Sequence, residues 1–153
     1  MSTPVIENIA ANLKDTIAEI TVANGFNQTL SAVRSRRNDF SDISPDDLTV
    51  LIVQMDEDKL DSAIGTYEWD QHFLLMTFVI DSDTSITPID TRRNQVKSDI
   101  IKKIKETASR GGYAIDTKIQ PSAMFDDGEG FCGVAVEIAV HYRVDEDDPY
   151  TQA

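Results

Sequence analysis

Residues 131–144 read FCGVAVEIAVHYRV, and their alternation decides the architecture. Cys132, Val134, Val136, Ile138, Val140, Tyr142 and Val144 recur at every second position, the period of one strand face. Gly133, Ala135, Glu137, Ala139, His141 and Arg143 fall on the opposite face and are small or polar. Such a strand must bury its apolar face against a second layer. Two helices elsewhere in the chain have the right pattern to supply it.

The first helix opens at Thr3-Pro4, with Thr3 as the expected N-cap and Pro4 at the first helical position. Ile6, Ile9, Leu13, Ile17 and Ile20 follow at spacings of three and four, on one face, and Asn24-Gly25 is the expected stop. The second opens at Thr87-Pro88-Ile89-Asp90, a variant of the capping box. It carries Ile89, Val96, Ile100, Ile104 and Ala108 on one stripe and closes at Arg110-Gly111-Gly112. Strands are expected at 29–34, 48–54, 68–80 and 113–119. LTVLIVQ over 48–54 is apolar enough to be covered on both faces. Residues 35–47, 56–65, 81–85 and 121–130 read as loops and turns.

The resulting order is α-β-β-β-α-β-β. It predicts a single α+β domain over 1–153, with a mixed or antiparallel sheet of about five strands packed on two long amphipathic helices. Residues 145–153 read as an acidic, flexible tail. A chain of 153 residues buries enough surface to fold without staples. Its single cysteine, Cys132, excludes an intrachain disulfide and reads as a small buried hydrophobe. No signal peptide or membrane span is expected from the sequence given.

The net charge is −13. That disfavours general affinity for nucleic acid or anionic membrane, both of which depend on surplus Lys and Arg. Chemistry-bearing patterns are weak. His72 and His141 could each pair with a carboxylate for acid–base work, but strand histidines at an edge are the simpler reading. Neither has a metal-ligand spacing. Asp126-Asp127-Gly128-Glu129-Gly130 and Asp81-Ser82-Asp83-Thr84 lack the spacing of a calcium loop. There is no G-x-S-x-G, P-loop or G-x-G-x-x-G. No catalytic residue, cofactor site or metal site is expected, and the chain reads as a non-enzyme.

Charge layout carries more information. Residues 88–110 hold seven basic residues against three acidic ones, a surplus of four, which leaves seventeen excess negative charges elsewhere. Arg34, Arg36 and Arg37 form a second small cluster. A subunit polarised in this way can dock its basic helix on an identical neighbour, head to tail, until a ring closes. The interface set expected on this ground is Arg34, Arg36, Arg37, Arg92, Arg93 and Lys97. A solvated basic helix complementing its own dipole is the alternative.

Several landmarks form a larger pattern. The opening helix leads to Asn24-Gly25-Phe26, and a strand ending in Gln54 precedes the long strand over 69–80. Val96-Lys97-Ser98-Asp99-Ile100 runs into Gly111-Gly112-Tyr113-Ala114. The last strand ends Val140-His141-Tyr142-Arg143, with Pro149-Tyr150 beyond. Over about residues 5–150 this resembles the tail terminator family of long-tailed bacteriophages, the proteins related to the lambda minor tail protein U. The resemblance implies a structural protein of the virion, at the tail–neck junction, made in the host cytoplasm. It implies a homo-oligomer, a hexameric ring, that caps the tail tube, stops its polymerisation and joins tail to head. The implied partners are the tail tube protein and a neck or head-completion protein. Genome DNA would pass through the channel without specific binding, as an acidic wall would favour. A head-completion or neck connector of the same virion is the nearest alternative. A metal-dependent hydrolase and an acidic DNA mimic are more distant ones.

Overall fold

The structure, a computed structural model, describes residues 2–34, 48–80, 88–126 and 131–153. Its elements are α1 (Val5–Ala18), a 3-10 turn (Val22–Asn24), β1 (Ser31–Arg34), β2 (Thr49–Leu60) and β3 (Thr66–Ile80). They continue with α2 (Ile89–Glu106), a second 3-10 turn (Arg110–Gly112), β4 (Asp116–Asp126), β5 (Phe131–Asp145) and β6 (Asp148–Gln152). The fold is α+β. One mixed sheet runs β1-β2-β3-β5-β4, with β6 on β5; β1 is parallel to β2 and every other pairing is antiparallel.

β5 lies between β3 and β4, and its even-numbered residues face the helices. Val134, Val136, Ile138 and Val140 are fully buried, against Ile9, Leu13 and Ile17 of α1 and Val96, Ile100 and Ile104 of α2 within one core. β3 adds Phe73 and Leu75, opposite Ile138 and Val136. Each such side chain removed from water contributes about 1.5–3 kcal/mol against the entropy of ordering the chain. Cys132 is buried, as its place in the alternation implies.

The helix ends differ from expectation. Pro4, not Thr3, flanks α1, and its carbonyl accepts from the Glu7 and Asn8 amides. α1 stops at Ala18, and Ile20 leaves it to enter the core and accept the Leu30 amide. Asn24-Gly25 therefore closes the following 3-10 turn, where Gly25 takes φ +90° and Thr21 Oγ1 accepts the Asn24 amide. Thr87 lies outside the described residues.

Four of the five expected strands are longer than the pattern suggests, β1 is shorter, and a further strand is present. β2 continues through the acidic residues 56–60, expected as a turn. A bulge between Gln54 and Glu57 allows this, and the buried Gln71 side chain donates into it, to Met55 O at 2.6 Å and Asp56 O at 3.4 Å. β4 starts at Asp116 and runs through Pro121 to Asp126, across part of the expected loop. Pro121 is tolerated because β4 is an edge strand with an irregularity between Ile119 and Ser122. The chain end, expected as a flexible tail, instead folds back as β6, a sixth strand.

One buried carboxylate ties the layers together. Asp99 on α2 is only 3% exposed. It accepts from the Asn27 amide and side chain and, at 2.9 Å, from the Gln28 amide. Removing it strands two backbone donors in a part-buried site. Asp99→Ala is expected to lower stability by about 2–3 kcal/mol, measured as a shift in urea midpoint at constant m. A loss under about 0.5 kcal/mol would show that this anchor is dispensable.

Candidate functional site

Of the six basic residues expected at an interface, the four described ones lie at two separate places on the fold. Arg34 ends β1, where Nη1 and Nη2 grip Glu7 Oε1 and Oε2 at 2.5 and 3.1 Å. That pairing holds the Glu7 carboxyl below its ordinary range and raises the guanidinium. Arg36 and Arg37 lie outside the described residues. Arg92, Arg93 and Lys97 occupy the first turns of α2. Arg93 Nη1 donates to Phe125 O at 3.4 Å, and Lys105 Nζ donates to Thr117 O at 3.0 Å. The flank of α2 bearing Arg93 and Lys97 thus runs beside β4, on the opposite edge of the sheet from Arg34. Among the described residues Lys97 makes no ion pair or hydrogen bond.

Arg110 leaves the basic surface altogether. It is fully buried, with Nη2 donating to Ile104 O and Thr107 Oγ1 at 2.8 Å and also to Thr107 O. Burial without a carboxylate lowers its pKa to about 10, so it stays charged at neutral pH, bonded to carbonyls at the end of α2.

A second surface was not anticipated. The β2–β3 and β5–β6 hairpins meet: the Glu146 amide donates to Gly65 O at 3.0 Å, and the Gly65 amide to Glu146 Oε2 at 3.1 Å. Between them and the start of α1 lies a cleft of about 300 Å³, walled by Ile6, Tyr67, Trp69, Tyr142, Val144 and Pro149. Tyr67 and Trp69 meet edge to face with centroids 6.2 Å apart. Glu57, Asp145 and Glu146 complete the lining. The Tyr142 hydroxyl donates to Glu57 Oε2 at 2.8 Å; burial first, then that carboxylate, push the phenol upward. Among the described residues the lining holds no basic side chain, though Lys59 just outside places its ammonium 4.2 Å from the Tyr67 ring. Aromatic walls with carboxylates favour a cation that carries an apolar stem.

The two histidines sit on the sheet face away from the helices. His72 is within β3, with Nε2 3.0 Å from Asp58 Oδ2 and Nδ1 3.5 Å from Glu137 Oε2. His141 Nε2 lies 3.3 Å from Glu68 Oε1, which also pairs with Arg143 at 2.9 Å. The Arg143 hydrogen bond, with help from His141, holds the Glu68 carboxyl below its ordinary range. Lys118 and Asp70 make a further cross-strand pair at 3.3 Å. These are polar pairs along a strand ladder, with Arg143–Glu68 and Lys118–Asp70 as its ion pairs. Among the described residues no His, Cys, Asp and Glu group is arranged to hold a metal ion, and no helix is long and apolar enough to cross a membrane. Of the acidic loop over 126–130, only Asp126 is among the described residues.

The aromatic cleft escaped sequence reading because its parts come from four separated segments. The available signal was the pair of acidic runs, 56–61 and 145–148, each beside aromatics. No protein-family model matches this chain, and no curated protein matches it.

Proposed function

We propose that this chain is a structural subunit that assembles head to tail into a ring, acting as the tail terminator of a long-tailed bacteriophage. The observation that carries the ring is charge separation along β5. The basic flank of α2 begins beside Phe125, which pairs with Gly133, while the acidic cleft surrounds Val144. Eleven strand residues separate the two levels, about 35 Å at the usual rise. A subunit cannot bring these surfaces together within itself, but a neighbour related by rotation can, and repetition closes a ring. The phage assignment is supported by the sequence landmarks alone. On this reading the ring caps the tail tube, binds a neck protein on its other side and lets DNA slide past an acidic wall.

Light scattering at low and high ionic strength, on the protein alone and with purified tail tubes, tests the reading. The expected result is a mass of about six subunits, either free or captured at one end of the tubes. Assembly that ignores tubes but binds the portal side would transfer the protein to the neck. A single-subunit mass in every condition would overturn the ring.

A further inference from the structure

We infer that the aromatic–acidic cleft is the receptor half of the subunit interface, and that the occupant is Lys97 of a second copy, with Arg93 beside it. The inference rests on the ring proposed above and specifies which surfaces mate. Three observations carry it.

The first is charge complementarity. Among the described residues the cleft lining has three carboxylates, Glu57, Asp145 and Glu146, and no cation. Half of the fourteen Lys and Arg residues lie within residues 88–110. Several of those are already committed: Lys103 to Glu19 at 2.8 Å, Lys105 to Thr117 O, Arg110 to the end of its own helix. Lys102 stands over the Phe26 ring at 4.9 Å. Lys97 remains uncommitted among the described residues, one helical turn from Arg93 on the flank beside β4.

The second is shape. A lysine has a four-carbon stem and a compact ammonium. The stem suits the faces of Trp69, Tyr67 and Pro149, and the ammonium suits the carboxylates behind them. Lys59 against Tyr67 shows the same preference at the cleft's outer side. The third is position. The two surfaces are too far apart to meet within one subunit, so the contact must be made between copies, and it leaves each copy with one used donor and one used receptor.

That asymmetry gives a decisive experiment. A receptor variant, Glu57→Gln with Glu146→Lys, keeps an acceptor for the Tyr142 hydroxyl while removing the attraction. A donor variant, Lys97→Ala, removes a side chain with no described partner and leaves no reversed charge to pair with the altered receptor. Circular dichroism melts verify that both fold, and the pair Asp145→Asn with Glu146→Lys replaces the receptor variant if it does not. Masses are measured in the condition, free or on tube ends, where the wild type assembles. Each variant alone is expected to fall to one subunit. Mixed in equal amounts, the two are expected to form a species of two subunits and no larger, because only one intact donor and one intact receptor remain. Trp69 is the only tryptophan, so its emission should shift on mixing and not in either variant alone. If the wild type assembles and the variants keep its mass, the cleft is not the interface, while the ring stands. If both variants dissociate but do not pair on mixing, the two surfaces are not mates. A wild type that never assembles overturns the ring itself.

Discussion

Gly133→Ala is expected to destabilise the protein by about 3 kcal/mol or more, a large share of the marginal stability of such a domain. Gly133 lies in β5, opposite Phe78 of β3 and Phe125 of β4. A Cβ added there would stand 2.0 Å from Thr77 O and 2.7 Å from the tip of the Phe125 ring. The carbonyl belongs to a neighbouring central strand and cannot swing away as a side chain could. The Phe125 ring fills the space that the missing side chain leaves, and it packs edge to face on Phe78 at 5.5 Å. Phe125 also carries the carbonyl that receives Arg93. Alanine would therefore push β4 outward and disturb the start of the basic flank. Urea denaturation gives the size of the loss. A change under about 1 kcal/mol would mean that β4 and β3 can separate at this level without cost.

The extent to which these features are legible in the chain follows from how solvent meets each segment. β5, the upper part of β3 and both helices each have one face in the core and one outside, so their hydrophobic period survives in the sequence. The strand arms at 56–60 and 121–126, and β6 at 148–152, are largely exposed or half-buried. Residues there experience little difference between faces, so polar side chains suffice and no alternation is imposed. Acidic composition then looks like a turn. Pro121 looks like a break, although an edge strand tolerates it. The end of the chain reads as a flexible tail for a related reason: its order comes from backbone pairing with β5, which leaves no mark on side-chain pattern.

The interaction surfaces were legible only in part. Clustering of Lys and Arg over 88–110 is visible in the sequence, but burial of Arg110 and the commitment of Lys103 to Glu19 are not. Both depend on contacts between segments. The cleft is less visible still. Glu57 and Tyr142 are separated by 85 residues and meet through a 2.8 Å hydrogen bond. Neither acidic run alone distinguishes a solvated loop from one wall of a binding surface. Charge asymmetry in the sequence suggests one half of the proposed head-to-tail contact, and topology supplies the candidate for the other half.

Ile138→Asp is expected to abolish cooperative folding, with the variant recovered as aggregate or without a melting transition. Ile138 is fully buried in the core, paired with Phe73 on one side and Ile119 on the other. Truncating a buried isoleucine alone costs about 2–5 kcal/mol. The carboxylate adds a desolvation cost of several kcal/mol, or a strongly raised pKa if it stays neutral. Together these reach the total stability of an ordinary domain. Glu137→Lys is the matched control, one residue away on the opposite face. Glu137 keeps 30% of its side chain exposed, and its neighbour His72 Nδ1 is 3.5 Å away. Losing that weak pair should cost under about 1 kcal/mol, so the control should melt cooperatively. The contrast between adjacent positions tests the period-two reading of 131–144 from which the architecture was inferred. Soluble, cooperatively melting Ile138→Asp protein would place the apolar face of β5 against solvent and overturn the two-layer fold.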